Sequence, residues 1–153
     1  MEKDLLQEVD ELPEIEKLLE SIWEKYMNDY DKEEEEFLEA CYQGEIKAVK
    51  KVLSSQNKHP IDIKKALTDE GKNGIHLATI SGSLRNVDII RLLVDAGVDL
   101  NGTTHHEDRT PLMLGSILGN EVAVKELIKL GANPASRDFE GNTAAHHACL
   151  YNQ

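Results

Sequence analysis

Apolar residues along this chain cluster in short helical patterns separated by polar, glycine-containing breaks. In DEGKNGIHLATISG and HEDRTPLMLGSILG a brief apolar run follows a polar tip. Each is followed by a second amphipathic stretch, VDIIRLLVDAGVDLN and EVAVKELIKLGANPA, whose apolar side is predicted to carry Leu92, Leu93, Leu127 and Ile128. The two stretches repeat each other. Asn73, Thr110 and Thr143 share one slot with gaps of 37 and 33 residues, and Gly82, Gly119 and Asn152 share a second slot with the same gaps. Copying of a helix–turn–helix unit at a nearly fixed period predicts a stack of similar layers, which offers surfaces and does not enclose a pocket.

Local chemistry explains the slots. Thr before Pro is a good helix N-cap, because its hydroxyl accepts from a free backbone N–H while Pro tolerates the first helical position. The small residues Ala78, Gly115 and Ala148 recur one turn later, where a short side chain lets neighbouring helices approach. Gly97 and Gly131 close the second helices, since glycine takes the left-handed conformation that ends a helix. Ala40 and Gly44, then Val49, Val52 and Leu53, fit the same template, so an earlier, diverged unit begins near Glu36.

Over about residues 36 to 153 the chain resembles the ankyrin-repeat family. Thr110-Pro111-Leu112-Met113 is similar to that family's T-P-L-H signature with Met for His, while His76 and His146 restore the His in degraded copies, and 33 is the family's period. The resemblance implies an all-α fold, an ankyrin-repeat solenoid of about three and a half helix-turn-helix units with an N-terminal helical extension. The expected division is an acidic amphipathic leader over 1–35 and a repeat domain over 36–153, with units near 36–67, 68–104, 105–137 and an incomplete 138–153. Three departures are visible. About three extra residues between Gly82 and Val87 should lengthen a turn, the long link from Ser55 to Thr68 should hold one extra helical turn in HPIDIKKAL, and the sequence stops at Gln153 after one helix of the last unit.

Charge is divided unevenly. Residues 1–40 hold 16 Asp/Glu and 4 Lys/Arg, net −12, whereas residues 41–153 hold 13 of each. This argues against nucleic acid and anionic membrane surfaces as partners, both of which need a basic face. Leu5, Leu6, Val9 and Leu12 precede Pro13; Ile15, Leu18, Leu19, Ile22, Trp23, Tyr26 and Tyr30 follow at helical spacing. The leader therefore reads as a short and a longer helix with Pro13 near the start of the second. It either caps the first unit or acts as a detachable acidic helix that competes for the groove or docks into a basic partner. The acidic N-terminus is neither a signal peptide nor a membrane span, and a cytoplasmic or nuclear location is expected. Cys41 and Cys149 occupy the same slot of the first and last units, too many layers apart for a disulfide.

Patterns for catalysis are absent. His105-His106 and His146-His147 near Cys149 lack accompanying Cys-x-x-Cys spacing, and His76 and His146 fill the structural His slot, so neither a metal nor another cofactor is expected. Gly71-Lys72-Asn73-Gly74 lacks the Ser/Thr and spacing of a phosphate loop, and no Ser, Cys or carboxylate pair forms a catalytic constellation. Asn101-Gly102-Thr103 matches a glycosylation acceptor by coincidence in a protein of that location.

The expected activity is binding of a protein partner, as adaptor or inhibitor. In ankyrin proteins partners lie against the turn tips and the groove side of each first helix, so the resemblance implies candidates by slot. The groove row is Tyr42, Ile80, Ile117 and Leu150, with Gln43, Ser81, Leu118 and Tyr151 beside it. The tips supply Asp69, Glu70 and Lys72, then His106, Glu107 and Arg109, then Phe139, Glu140 and Asn142. Apolar residues framed by polar tips have the make-up of an interface, with Phe, Tyr and Arg the usual anchors. The competing account gives the row to packing between layers, or under the leader. A last helix without its second half leaves Ala145, Ala148 and Leu150 beside an open layer, so a contact is also expected at the C-terminal end. The chain is then either the start of a longer ankyrin protein, whose surfaces meet its own chain, or a module whose open end meets a partner or a second copy.

Overall fold

A computed structural model of the chain describes residues 2–55 and 61–151, except for the side chains of 2–14, 23 and 25–31. The expected apolar positions Leu5, Leu6, Val9, Leu12, Trp23, Tyr26 and Tyr30, and the start of HPIDIKKAL, lie outside the described side chains. Seven helices and no strand occur among the described residues. They are α1 (Glu2–Gln43), α2 (Ile46–Ser54), α3 (Gly74–Ile80), α4 (Asn86–Asp95), α5 (Pro111–Leu118), α6 (Glu121–Lys129) and α7 (Ala144–Leu150). The chain divides into two compact units, residues 1–33 and 34–153.

The first unit is helical throughout its described length. In place of the two helices expected around Pro13, α1 runs through that residue without a break. The missing Pro13 amide removes one rung, to the Val9 carbonyl, and the ladder on both sides continues. Ile15, Leu18, Leu19 and Ile22 are each at least half exposed.

The second unit is a stack. Its first helices are the end of α1, then α3, α5 and α7; its second helices are α2, α4 and α6. Within hairpins α3 packs on α4 and α5 on α6, and between layers α3 meets α5, α5 meets α7, α2 meets α4 and α4 meets α6. One core runs through the layers, with Phe37, Cys41, Val49, Ile75, Ile89, Ile90, Leu93, Met113 and Leu127 buried. Ile128, expected on the apolar side, is 54% exposed, because Leu127 and Leu130 already fill the inward arc of α6.

Helix ends follow from local sequence. Thr110 Oγ1 accepts from the Met113 amide at 3.3 Å, and Pro111 supplies the first helical residue. Gly97 and Gly131 have φ of +88° and +94°. Around them the Gly97 and Val98 amides donate to Val94 and Leu93, and the Gly131 and Ala132 amides to Ile128 and Leu127, so the last carbonyls are satisfied. Close approach explains Gly115, where a Cβ would meet Val124 and Thr79 carbons at 3.0 and 3.1 Å.

The insertions are accommodated in turns. Five residues, 81–85, separate α3 from α4, against two, 119–120, between α5 and α6, and Leu84 in the longer turn is 74% exposed. The 61–67 stretch forms one hydrogen-bonded turn, with the Ala66 amide donating to Asp62 at 2.9 Å. A further extra residue lies in the third unit's tip, where Asp108 has φ of +52°.

Candidate partner-binding wall

Each tip is a tight backbone loop pinned at its base. The Thr68 amide donates to the Lys72 carbonyl at 3.0 Å, Thr104 to Arg109 at 3.1 Å, and Asp138 to Asn142 at 2.9 Å. Side chains reinforce the loops from the same starting slot. Thr68 Oγ1 accepts from the Lys72 amide and Thr104 Oγ1 from the Arg109 amide, while Asp138 Oδ1 accepts from both Glu140 and Asn142. Buried Asp138 also takes a 2.6 Å bond at Oδ2 from His147 Nε2. Burial pushes the Asp138 carboxyl up, but the Asn142 amide, His147 and the Glu140 amide outweigh it and hold the carboxyl low.

Backbone bonds join the tips to one another. The His105 amide donates to the Glu70 carbonyl at 2.9 Å and the Phe139 amide to the Glu107 carbonyl at 3.0 Å. Three tips therefore form a continuous edge. Neither bond was legible in the sequence, because backbone groups carry no residue signature.

The His slot ties the edge to the first helices. Asn73 accepts from the Ile75 and His76 amides, and His76 Nδ1 accepts from the Asn73 amide at 3.1 Å, a reciprocal cap. The proton is then on Nε2, which donates to the Arg109 carbonyl of the next layer at 3.0 Å. Burial pulls the His76 pKa down to about 4, so the ring stays neutral.

Asn86 and Asn120 were not singled out in the sequence, yet both bolt adjacent layers. Asn120 Nδ2 donates to the Thr79 carbonyl at 2.9 Å, and Asn86 Nδ2 reaches the Ala78, Cys41 and Tyr42 carbonyls at 3.1 to 3.5 Å. A polar residue where each second helix begins was the available signal.

Along the groove, Ile80 and Ile117 are half-buried and Leu150 is 69% exposed, at matching positions of α3, α5 and α7; Tyr42 is exposed at the corresponding end of α1. Leu118 and Tyr151, one residue on, are exposed. On the edge, Asp69, Glu70, His106, Glu107, Glu140 and Phe139 are exposed, Phe139 at 78%. Lys72 pairs with Glu70, and Arg109 Nη1 with Glu107 at 3.0 Å. Arg109 is part-buried, with its Nε out of water, so it is built into the edge more firmly than a free anchor.

This succession of reciprocally capped first helices, glycine-closed second helices and tips joined edge to edge is matched by the family model for ankyrin repeats (3 copies) over residues 37–138 and 86–153. The chain belongs to the ankyrin-repeat family. Among its relatives, a putative ankyrin repeat protein of Acanthamoeba polyphaga mimivirus is 35% identical over 88 residues, 57% of this chain and 11% of that protein. A palmitoyltransferase of Kluyveromyces lactis is 31% identical over 113 residues, 73% of this chain and 14% of the enzyme. NF-kappa-B inhibitor alpha of Sus scrofa is 32% identical over 87 residues, 56% of this chain and 27% of the inhibitor. The chain thus spans well under half the length of each. Ankyrin repeats in general mediate protein–protein interaction.

No group of three or more His, Cys, Asp or Glu side chains is arranged to hold a metal ion among the described residues. Cys41 is buried, its thiol pushed up to about 12 by burial, and Cys149 is exposed; both are free thiols. No helix among the described residues is long and apolar enough to cross a membrane.

Proposed function

We propose that residues 34–153 hold a protein partner against the wall formed by the tips and the groove side of the first helices, as an adaptor or inhibitor. The observation that carries this reading is Phe139. A large apolar side chain 78% exposed at a turn tip contributes little to folding, and its amide fixes it beside the Glu107 tip at 3.0 Å. The relative named as an inhibitor, NF-kappa-B inhibitor alpha, supports the same class of activity.

The test is retention of a native-cell partner on the immobilised chain, compared with the Phe139→Ala and Arg109→Ala variants. Each variant should bind about 1 to 3 kcal/mol more weakly with an unchanged circular dichroism spectrum. Equal retention by both variants would remove the wall from the partner's footprint. A second reading, in which the stack is a structural segment whose surfaces meet its own longer chain, is supported by the 11% to 27% of its relatives' lengths that the chain spans. On that reading no separate partner is retained, with or without residues 1–35.

A further inference from the structure

We propose that the partner element held on the wall is an amphipathic α-helix laid along the stack, with an apolar side chain every seven residues and a Lys/Arg-bearing flank turned to the tips. This rests on the wall being the binding surface, as proposed above.

The spacing of the row points to a helix. Tyr42, Ile80, Ile117 and Leu150 occur once per layer, and packed helices lie about 8–10 Å apart. An α-helix advances about 10.5 Å in seven residues and turns only about 20° from register, so residues i, i+7 and i+14 address successive layers from one face. A β-strand covers about 10 Å in three residues, but residues i and i+3 point to opposite faces. A polyproline segment matches the distance with i and i+3 on one side, yet such segments dock on aromatic-lined grooves, and the middle of this row is Ile80 and Ile117.

Charge gives the flank its sign. The cations nearest the edge are already engaged: Lys72 with Glu70, Arg109 with Glu107, and Arg137 Nη1 with the Gly141 carbonyl at 2.8 Å. One exposed carboxylate per tip makes no ion pair among the described residues, namely Asp69, Asp108 and Glu140. Glu140 accepts from the neutral side-chain amide of its own tip neighbour Asn142 at 3.2 Å. Three like charges, one on each tip of the wall that also carries the apolar row, complement a basic-flanked helix. A segment with the composition of residues 1–40, net −12, has the wrong sign.

A phage-displayed library of random 20-residue peptides, selected on the full chain, tests this. Enriched peptides should carry apolar residues at seven-residue spacing with Lys/Arg beside them, and should gain helical circular dichroism on binding. The triple variant Asp69→Asn, Asp108→Asn, Glu140→Gln should bind them at least tenfold more weakly and with a flatter salt dependence. These side chains are exposed, and Asn tolerates the positive φ at 108, so the variant keeps the fold. Enriched peptides that are Pro-rich or extended, or that ignore the triple variant while losing affinity with Phe139→Ala, overturn the helix and leave the wall. Peptides indifferent to Phe139→Ala as well overturn the wall with it. Failure to enrich any peptide overturns the helix alone if a native partner is still retained in a Phe139-dependent way.

Discussion

His76 and His146 stand in the same slot of two ankyrin units and cap their helices alike, each Nδ1 accepting an amide at 3.1 Å from the residue three positions before it. They differ in what lies beyond the ring. His76 is fully buried and spans to the next layer through Arg109, whereas His146 is exposed and its Nε2 meets no partner among the described residues. Between them, buried Met113 fills the slot with a sulfur that accepts weakly from the Thr110 amide at 3.5 Å and has no proton to give. One sequence position thus serves as a cap only, as a packing group, or as a cap that also clamps two layers, and the side chain together with what lies beyond it decides which.

The comparison can be broken at its strongest member first. His76→Ala should lower stability by about 2 to 4 kcal/mol in urea denaturation, because a buried ring and two hydrogen bonds go together. A loss equal to that of an exposed cap would end the distinction. Acid tests the same residue without mutation. With its folded pKa pulled to about 4 from an ordinary 6.5, the unfolded chain binds the extra proton first. The contribution of His76 is therefore full above pH 6.5 and is lost as pH falls toward 4, about 3 kcal/mol in all. Thermal melts across that window should show the slope in the wild type and not in His76→Ala. Met113→His sharpens the comparison in the other direction. The Asn142 carbonyl of the next layer stands where Arg109 stands for His76, so the variant should gain about 1 kcal/mol, read as a higher urea midpoint. The smallest effect belongs to His146→Gln, which should stay within about 0.5 kcal/mol of wild type in the same assay.

What the sequence made legible was local. Thr110-Pro111 announces a helix start, and Gly97 and Gly131 announce helix ends, because caps and left-handed turns demand particular residues. Continuity of α1 through Pro13 was not legible, since a single lost rung in a long helix leaves only the same proline that would mark a break. The extra residue of the third unit's tip is the fourth that the 37-residue gap holds beyond the period of 33, of which only three were assigned near Gly82. The gap of 34 between Gly97 and Gly131, one more than the period, carried its signal. The apolar row and the tips could be named by slot. That Arg109 is part-buried and spoken for by Glu107, or that Asp138 and His147 meet at 2.6 Å, required the fold, because these pairings depend on where two separated segments come to rest. Ile128 misled for the opposite reason: helical periodicity gives the inward arc only to within a residue.

Two of the bonds that join the tips run from main chain to main chain, His105 to Glu70 and Phe139 to Glu107, and the His105 ring adds a side-chain bond to the Asp69 carbonyl at 3.2 Å. Apart from His105, side chains at those positions are therefore free to vary while the frame beneath them stays put. New recognition specificities could accumulate on such an edge by substitution alone, with little penalty in foldability, which makes residues 106, 139 and 140 natural places to diversify a library built on this scaffold.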